Sequence, residues 1–210
     1  MINKKRLTSA MSILMVLALI IGILASCSGV TSGDSSESSN ASFDDPFAGR
    51  DPSIVLGYDG MEGYEGEIMF CDTNVKEVKE LMDAKETFVV FFSFETCPWC
   101  NLLIPYLNDA ARDAGVHVGY VDTRANPEWQ SNMDIDDYDV FTELFKKWLS
   151  KDEDGKLHLY VPDTYFIKDG KVVARHDGVT PGADDPSQGL TSEQAEQLQK
   201  DLAAEFDTLR

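Results

Sequence analysis

Phe88-Val89-Val90-Phe91-Phe92-Ser93-Phe94-Glu95-Thr96-Cys97-Pro98-Trp99-Cys100 reads as a strand that runs straight into a helix. From Phe88 to Phe94 the chain is apolar and β-favouring without alternation, the mark of a central strand buried on both faces. From Pro98 to Ala114 the pattern turns helical, with Leu102, Leu103, Tyr106, Leu107 and Ala110 on one side. Between the two elements sits a C-x-x-C motif. Cys97 falls at the helix N-terminus, where unpaired N–H groups and the helix dipole favour an anion. That placement raises the thiolate fraction, which is what a nucleophile for disulfide exchange requires. Cys100 lies one turn on, close enough to resolve a mixed disulfide with Cys97.

Two other readings of the pair stand beside this one: an ordinary structural disulfide, or half of a zinc site. Zinc needs two further ligands, and only His117, His158, His176 and Cys71 remain, none at ligand spacing. Glu95 reads either as a proton shuttle or as a solvated acid at the rim. Trp99 reads as an exposed apolar contact beside the thiol. Cys71 reads as a buried apolar thiol rather than a third redox partner.

Outward from this centre, strands and helices alternate. Glu67–Cys71 forms a first strand, and Thr73 or Asn74 caps a helix carrying Val75, Val78, Leu81 and Met82. Val116–Asp122 is a further strand. A long connection follows, with a helix over Tyr138–Leu149 whose face carries Phe141, Leu144, Phe145 and Trp148. Leu157–Lys168 and Lys171–Arg175 read as a hairpin around Asp169-Gly170, residues that tolerate the positive φ of a tight turn. Thr191 and Gln194 form a capping box for a final helix with Ala195, Leu198, Leu202 and Phe206 as its stripe. The order is that of an α/β sheet with helices on both faces. Asp134, Asp136, Asp137 and Asp139 lack the spacing of a calcium loop, as do Asp152, Glu153 and Asp154, so both groups read as turns and a helix start. His158 reads as a strand residue.

The N-terminus has a different grammar. Lys4, Lys5 and Arg6 precede an apolar run from Ala10 to Ala25, short for a spanning helix and typical of a secretory signal. The run ends in Leu24-Ala25-Ser26-Cys27, which resembles a bacterial lipobox. The resemblance implies a signal peptide over 1–26 and a diacylglycerol on Cys27, enough for stable anchoring. Residues 27–55 then form a lipidated Cys and a Ser-rich, acidic linker, with seven Ser between Ser28 and Asp45 and too little apolar surface to order itself. The folded domain spans 56–210.

The whole chain has 210 residues, 18 Lys+Arg and 37 Asp+Glu, for a net charge of -19. Loss of the three cations in residues 1–26 takes the mature form to -22. Such a charge excludes nucleic acid as a partner and argues against adhesion of the domain itself to an anionic membrane. With 43% hydrophobic residues the chain has a core to bury, and global disorder is excluded.

Around the C-x-x-C the chain resembles the thioredoxin superfamily. Glu95 matches an acid common in thioredoxins, Pro105 the proline of the active-site helix, and Val161-Pro162 the cis-proline signature. Lys168-Asp169-Gly170 and Gly178 follow in register. The resemblance implies a thioredoxin-like fold, a central mixed β-sheet flanked by helices, with a helical insertion (about 123–156) before the cis-Pro strand. It implies a cis Pro162 beside Cys97 that keeps metals away, and a Val161 backbone that pairs with an extended client. The chain departs from thioredoxins where Phe91 replaces a buried Asp, Thr96 a Trp, and Pro98-Trp99 a Gly-Pro pair. Small extracytoplasmic thioredoxin-like proteins, including those resembling bacteriocin-transport accessory proteins, share the C-P-aromatic-C site. The implied activity is a protein thiol–disulfide oxidoreductase on the outer face of a bacterial membrane, in a Gram-positive cell, with no cofactor beyond the dithiol. Its partners would be protein or peptide thiols and disulfides and a membrane electron carrier that recharges it. The alternative is a non-catalytic accessory module of a secretion or transport system that keeps the fold.

Overall fold

A computed structural model of the protein describes residues 43–52, 57–124 and 135–210. The signal sequence, Cys27, the Ser-rich stretch to Ser42, Asp134 and part of the expected insertion lie outside the described residues. Among the described residues no helix is long and apolar enough to cross a membrane.

Five strands form one mixed sheet: β1 (Phe70–Asp72), β2 (Phe88–Ser93), β3 (Val118–Asp122), β6 (Asp163–Lys168) and β7 (Lys171–Asp177). Their spatial order is β1-β3-β2-β6-β7. β3 runs parallel to β1 and β2, whereas β6 is antiparallel to β2 and β7. A separate pair joins β4 (Ser150–Lys151) to β5 (Leu157–His158). The helices are α1 (Val75–Asp83), α2 (Pro98–Ala114), α3 (Ile135–Phe145) and α4 (Ser192–Asp207). Every residue of β2 is buried, as its unbroken apolar run requires. The arrangement is the helix-flanked mixed sheet of a thioredoxin-like fold.

Alternation along β2 divides the core. Val89 and Phe91 face α2 and α4, packing with Leu103, Leu107, Leu198, Leu202 and Phe206. Phe88, Val90 and Phe92 face α1 and α3, packing with Val75, Val78, Phe141 and Phe145. Local chemistry sets the helix ends. Asn74 caps α1 through the Glu77 N–H, and Thr191 and Gln194 close a reciprocal box on α4. Asp169 and Gly170 both take positive φ (52° and 72°) in the β6–β7 turn.

The structure corrects several expectations. The single strand expected over Leu157–Lys168 is two elements, because the chain turns at Val161-Pro162 and β6 begins only at Asp163. The first strand starts at Phe70, since Asn108 on α2 takes the Met69 N–H and the Glu67 carbonyl for itself. The strand expected from Val116 starts at Val118. The third helix is shifted toward the N-terminus, and Trp148 lies beyond it, exposed rather than on its buried face. On α2 the deepest stripe is Leu103, Ile104, Leu107, Asn108 and Ala111, with Leu102, Tyr106 and Ala110 only half-buried at its flank. Finally, residues 45–50, assigned to the linker, pack onto the domain. Phe47 is fully buried against Phe88, with ring centroids 5.9 Å apart, and Asp45 accepts from both the main-chain N–H and Nδ1 of His117.

Candidate active site

The end of β2 and the start of α2 build the site. After Ser93 the chain makes a turn closed by the Cys97 N–H donating to the Phe94 carbonyl at 3.0 Å. Cys97 is the N-cap of α2, in extended conformation, and Pro98 takes the first helical position, where its missing N–H costs nothing. As N-cap, Cys97 turns its sulfur over the first turn, and Sγ accepts from the Cys100 N–H at 3.2 Å. Cys97 and Cys100 are joined as a disulfide, with Cα atoms 5.2 Å apart, inside the range that bridging requires. Cys97 is 3% exposed and Cys100 not at all, so Cys97 is the sulfur a client could reach.

Val161 and Pro162 come to the same place from the start of β6, the strand paired with β2. Their peptide bond is cis, and the Val161 carbonyl oxygen lies 3.8 Å from the Cys97 sulfur. Trp99, Val161, Pro162, Gly178 and Val179 line a groove of about 440 Å³ next to the dithiol. Trp99 is half-buried in that wall rather than exposed. His176 stands at the back of the groove. Its Nε2 is 2.8 Å from the Val179 carbonyl and its Nδ1 3.0 Å from a Glu205 carboxylate oxygen. Both neighbours are acceptors, an arrangement that favours a proton on each ring nitrogen. Burial works against that charge, but the bonds to Glu205 and Val179 outweigh it and raise the pKa.

On the opposite flank Glu95 is exposed and lines a second depression with Gly57, Asp59, Thr96, Pro98 and Asn101. The Asn101 side chain donates to the carbonyls of Glu95 and Cys97. Behind the dithiol, Phe91 is buried and apolar, and Tyr58, Ser93 and Tyr120 bring hydroxyls to this layer. Tyr58 Oη lies 3.0 Å from Ser93 Oγ and 2.8 Å from Tyr120 Oη, all buried. Burial pushes the Tyr58 hydroxyl up to about 12 and Tyr120 well above its ordinary range.

Sequence reasoning placed Cys97, Pro98, Trp99, Cys100, Val161, Pro162 and Glu95 at one site; the structure brings the first six together and leaves the Glu95 side chain on the opposite flank. That reasoning missed Asn101, Tyr58 and Asp163. Asp163 follows Pro162 directly yet faces away from the dithiol, held by Arg175 at 2.7 and 2.9 Å and by the Tyr165 hydroxyl at 2.7 Å. Burial raises its pKa to about 6 against the pull of both partners. The one signal in the sequence was its polarity between two strongly apolar stretches. Cys71 sits buried on β1 with Sγ 3.6 Å from the Phe47 carbonyl, and burial raises its pKa. Among the described residues no group of three or more His, Cys, Asp or Glu side chains could hold a metal ion.

No protein-family model matches the chain, and no curated protein matches it. Solved structures do. One is a protein described by its thioredoxin fold, at 16% identity and a TM-score of 0.39, covering 61% of this chain and 94% of its own. Another is oxidised mitochondrial thioredoxin 3 of Saccharomyces cerevisiae, at 17% identity and a TM-score of 0.34, covering 64% and 94%. A third is oxidised thioredoxin O2 of Arabidopsis thaliana, at 19% identity and a TM-score of 0.35, covering 62% and 95%.

Proposed function

We propose that this protein is a lipid-anchored, extracytoplasmic thiol–disulfide oxidoreductase acting on disulfides or thiols of protein and peptide clients. The observation that carries the reading is the Cys97 sulfur at the N-cap of α2, receiving the Cys100 N–H at 3.2 Å. In the reduced protein that donor and the helix dipole favour the thiolate. The thiolate attacks a client disulfide, a new S–S bond forms to Cys97, and one client sulfur leaves as a thiolate. Cys100, deprotonated, then attacks the Cys97 sulfur and releases the second client thiolate. Two electrons pass from the dithiol to the client, and the Cys97–Cys100 disulfide is the oxidised product. Run backwards, the same steps oxidise a client dithiol; a thiol or dithiol donor restores the reduced form.

The groove beside Val161 supports a protein or peptide client, because an extended chain laid there finds a backbone carbonyl next to the reactive sulfur. Anchoring is supported by the charged, apolar and Leu-Ala-Ser-Cys succession that ends at Cys27. The test is reduction of a model protein disulfide by the full chain. Cys97→Ser is expected to bring the rate to background, and Cys100→Ser to accumulate a mixed disulfide through Cys97. Equal rates with and without Cys97 would instead favour the accessory-module reading. Anchoring is checked separately by radiolabelled fatty acid incorporation, expected in the native chain and absent in Cys27→Ala.

A further inference from the structure

Asn101, one residue past the dithiol, joins three pieces of backbone. Its Nδ2 donates to the Glu95 carbonyl at 2.8 Å and to the Cys97 carbonyl at 3.1 Å, and its Oδ1 accepts from the Gly60 N–H at 3.0 Å. Both amide hydrogens are used, on the two carbonyls that bracket the turn presenting Cys97. The Asn101 main chain takes part too. Pro105, four residues on, has no N–H, so the Asn101 carbonyl lacks the donor an unbroken helix would give it. Gly60 fills that space: a Cβ built on it would stand 1.9 Å from the Asn101 carbonyl oxygen, so only a residue without a side chain fits. Two residues earlier, Tyr58 is buried and bonded to Ser93 and Tyr120. The 3-10 turn at Asp59–Met61 is thereby fixed at one end to the sheet and at the other to the first turn of α2.

We infer that Asn101 is a positioning residue for the Cys97 sulfur, and that through it residues 57–61 become part of the support of the dithiol. The inference rests on the redox reading of Cys97 and adds what holds that sulfur in place. Without the Asn101 amide, the turn loses both side-chain bonds to its carbonyls and keeps the Cys97 N–H to Phe94, the Asn101 N–H to the Cys97 carbonyl and the Cys100 N–H to Cys97 Sγ. The cap then loosens, Sγ meets the Cys100 N–H less often, and the thiolate loses stabilisation. An aspartate in its place does more, setting a carboxylate against two carbonyls and adding negative charge one turn from the sulfur.

The experiment is peptide-resolved alkylation of the reduced full chain across pH, which reads Cys97 alone and needs no client. Asn101→Ala is expected to slow Cys97 alkylation at neutral pH by about three- to tenfold, the size of a lost cap, and to move the pH midpoint upward. Asn101→Asp is expected to slow it further. Gly60→Ala, which leaves Asn101 and the motif intact but forces the two segments apart, is expected to act in the same direction, and it carries the test should the Asn101 variants fail to fold. Rates within about twofold of wild type in the folded variants, with wild-type Cys97 still reactive, would overturn the positioning role and leave the redox reading standing. Unchanged rates overturn it even if the variants melt earlier, since a purely structural residue would move the melting temperature alone. A wild-type Cys97 no more reactive than a free thiol would overturn both.

Discussion

On the α1/α3 face of the sheet the rings of Phe92, Phe141, Phe145 and Tyr165 stack with centroids 4.2–5.8 Å apart, and into this layer is set one buried ion pair, Asp163 with Arg175. On the α2/α4 face the layer under the dithiol holds Phe91, Ser93, Tyr58 and Tyr120, neutral groups, with the His176–Glu205 pair set back toward β7 and α4. The contrast separates two jobs. The aromatic face uses charge to fix structure: Arg175 also donates to the Trp148 carbonyl at 2.6 Å, tying the segment after α3 to the sheet. The dithiol face meets its reactive sulfur with backbone groups: the Cys100 N–H donates to Cys97 Sγ and favours the anion, whereas the Val161 carbonyl, an acceptor, pairs only with the protonated thiol.

The largest effect should come from the ion pair. Asp163→Ala leaves Arg175, whose side chain is 10% exposed, without its main partner, and the expected loss is about 3–5 kcal/mol of stability by denaturant unfolding. Cys97 alkylation in the same variant should keep its wild-type pH profile. A shifted profile would break the division between the faces. Replacing Asp163 and Arg175 together by apolar residues should cost less than either single change, because no lone charge is left behind.

A smaller effect is expected at His176. Its folded pKa lies above the ordinary value of about 6.5, so its ion pair contributes stability that is fully present below that value and fades as pH rises through the folded pKa. Glu205, the Val179 carbonyl and Asp201 all act on the ring in that direction. Melting temperature measured upward from about pH 6.5 should therefore fall in the wild type, and the fall should be shallower in His176→Gln. Parallel profiles for the two proteins would show that His176 does not carry a proton gained on folding.

How much of this could be read from the chain follows the range of each interaction. The strand from Phe88 and the helix from Pro98 to Ala114 were legible because their signals are local: an unbroken apolar run, a proline at the start and Gly115, at φ 68°, at the stop. The Cys97, Cys100, Val161 and Pro162 cluster was legible through a motif in register. What stayed hidden joins residues far apart: Gly60 with Asn101, Met69 with Asn108, Asp45 with His117. A polar residue in a strand or helix does not announce its partner, and burial is decided by the assembled fold. Phe47, an aromatic residue in a polar stretch, was the hint that the domain begins before residue 55.

The central claim is that the start of α2, through the Cys100 N–H, poises Cys97. Its most direct test is the pH titration of ultraviolet thiolate absorbance in the fully reduced protein, with Cys97→Ser subtracted. The Cys97 thiolate is expected to appear well below the free-thiol value of about 8.5. A Cys97 transition at or above that value would contradict the claim.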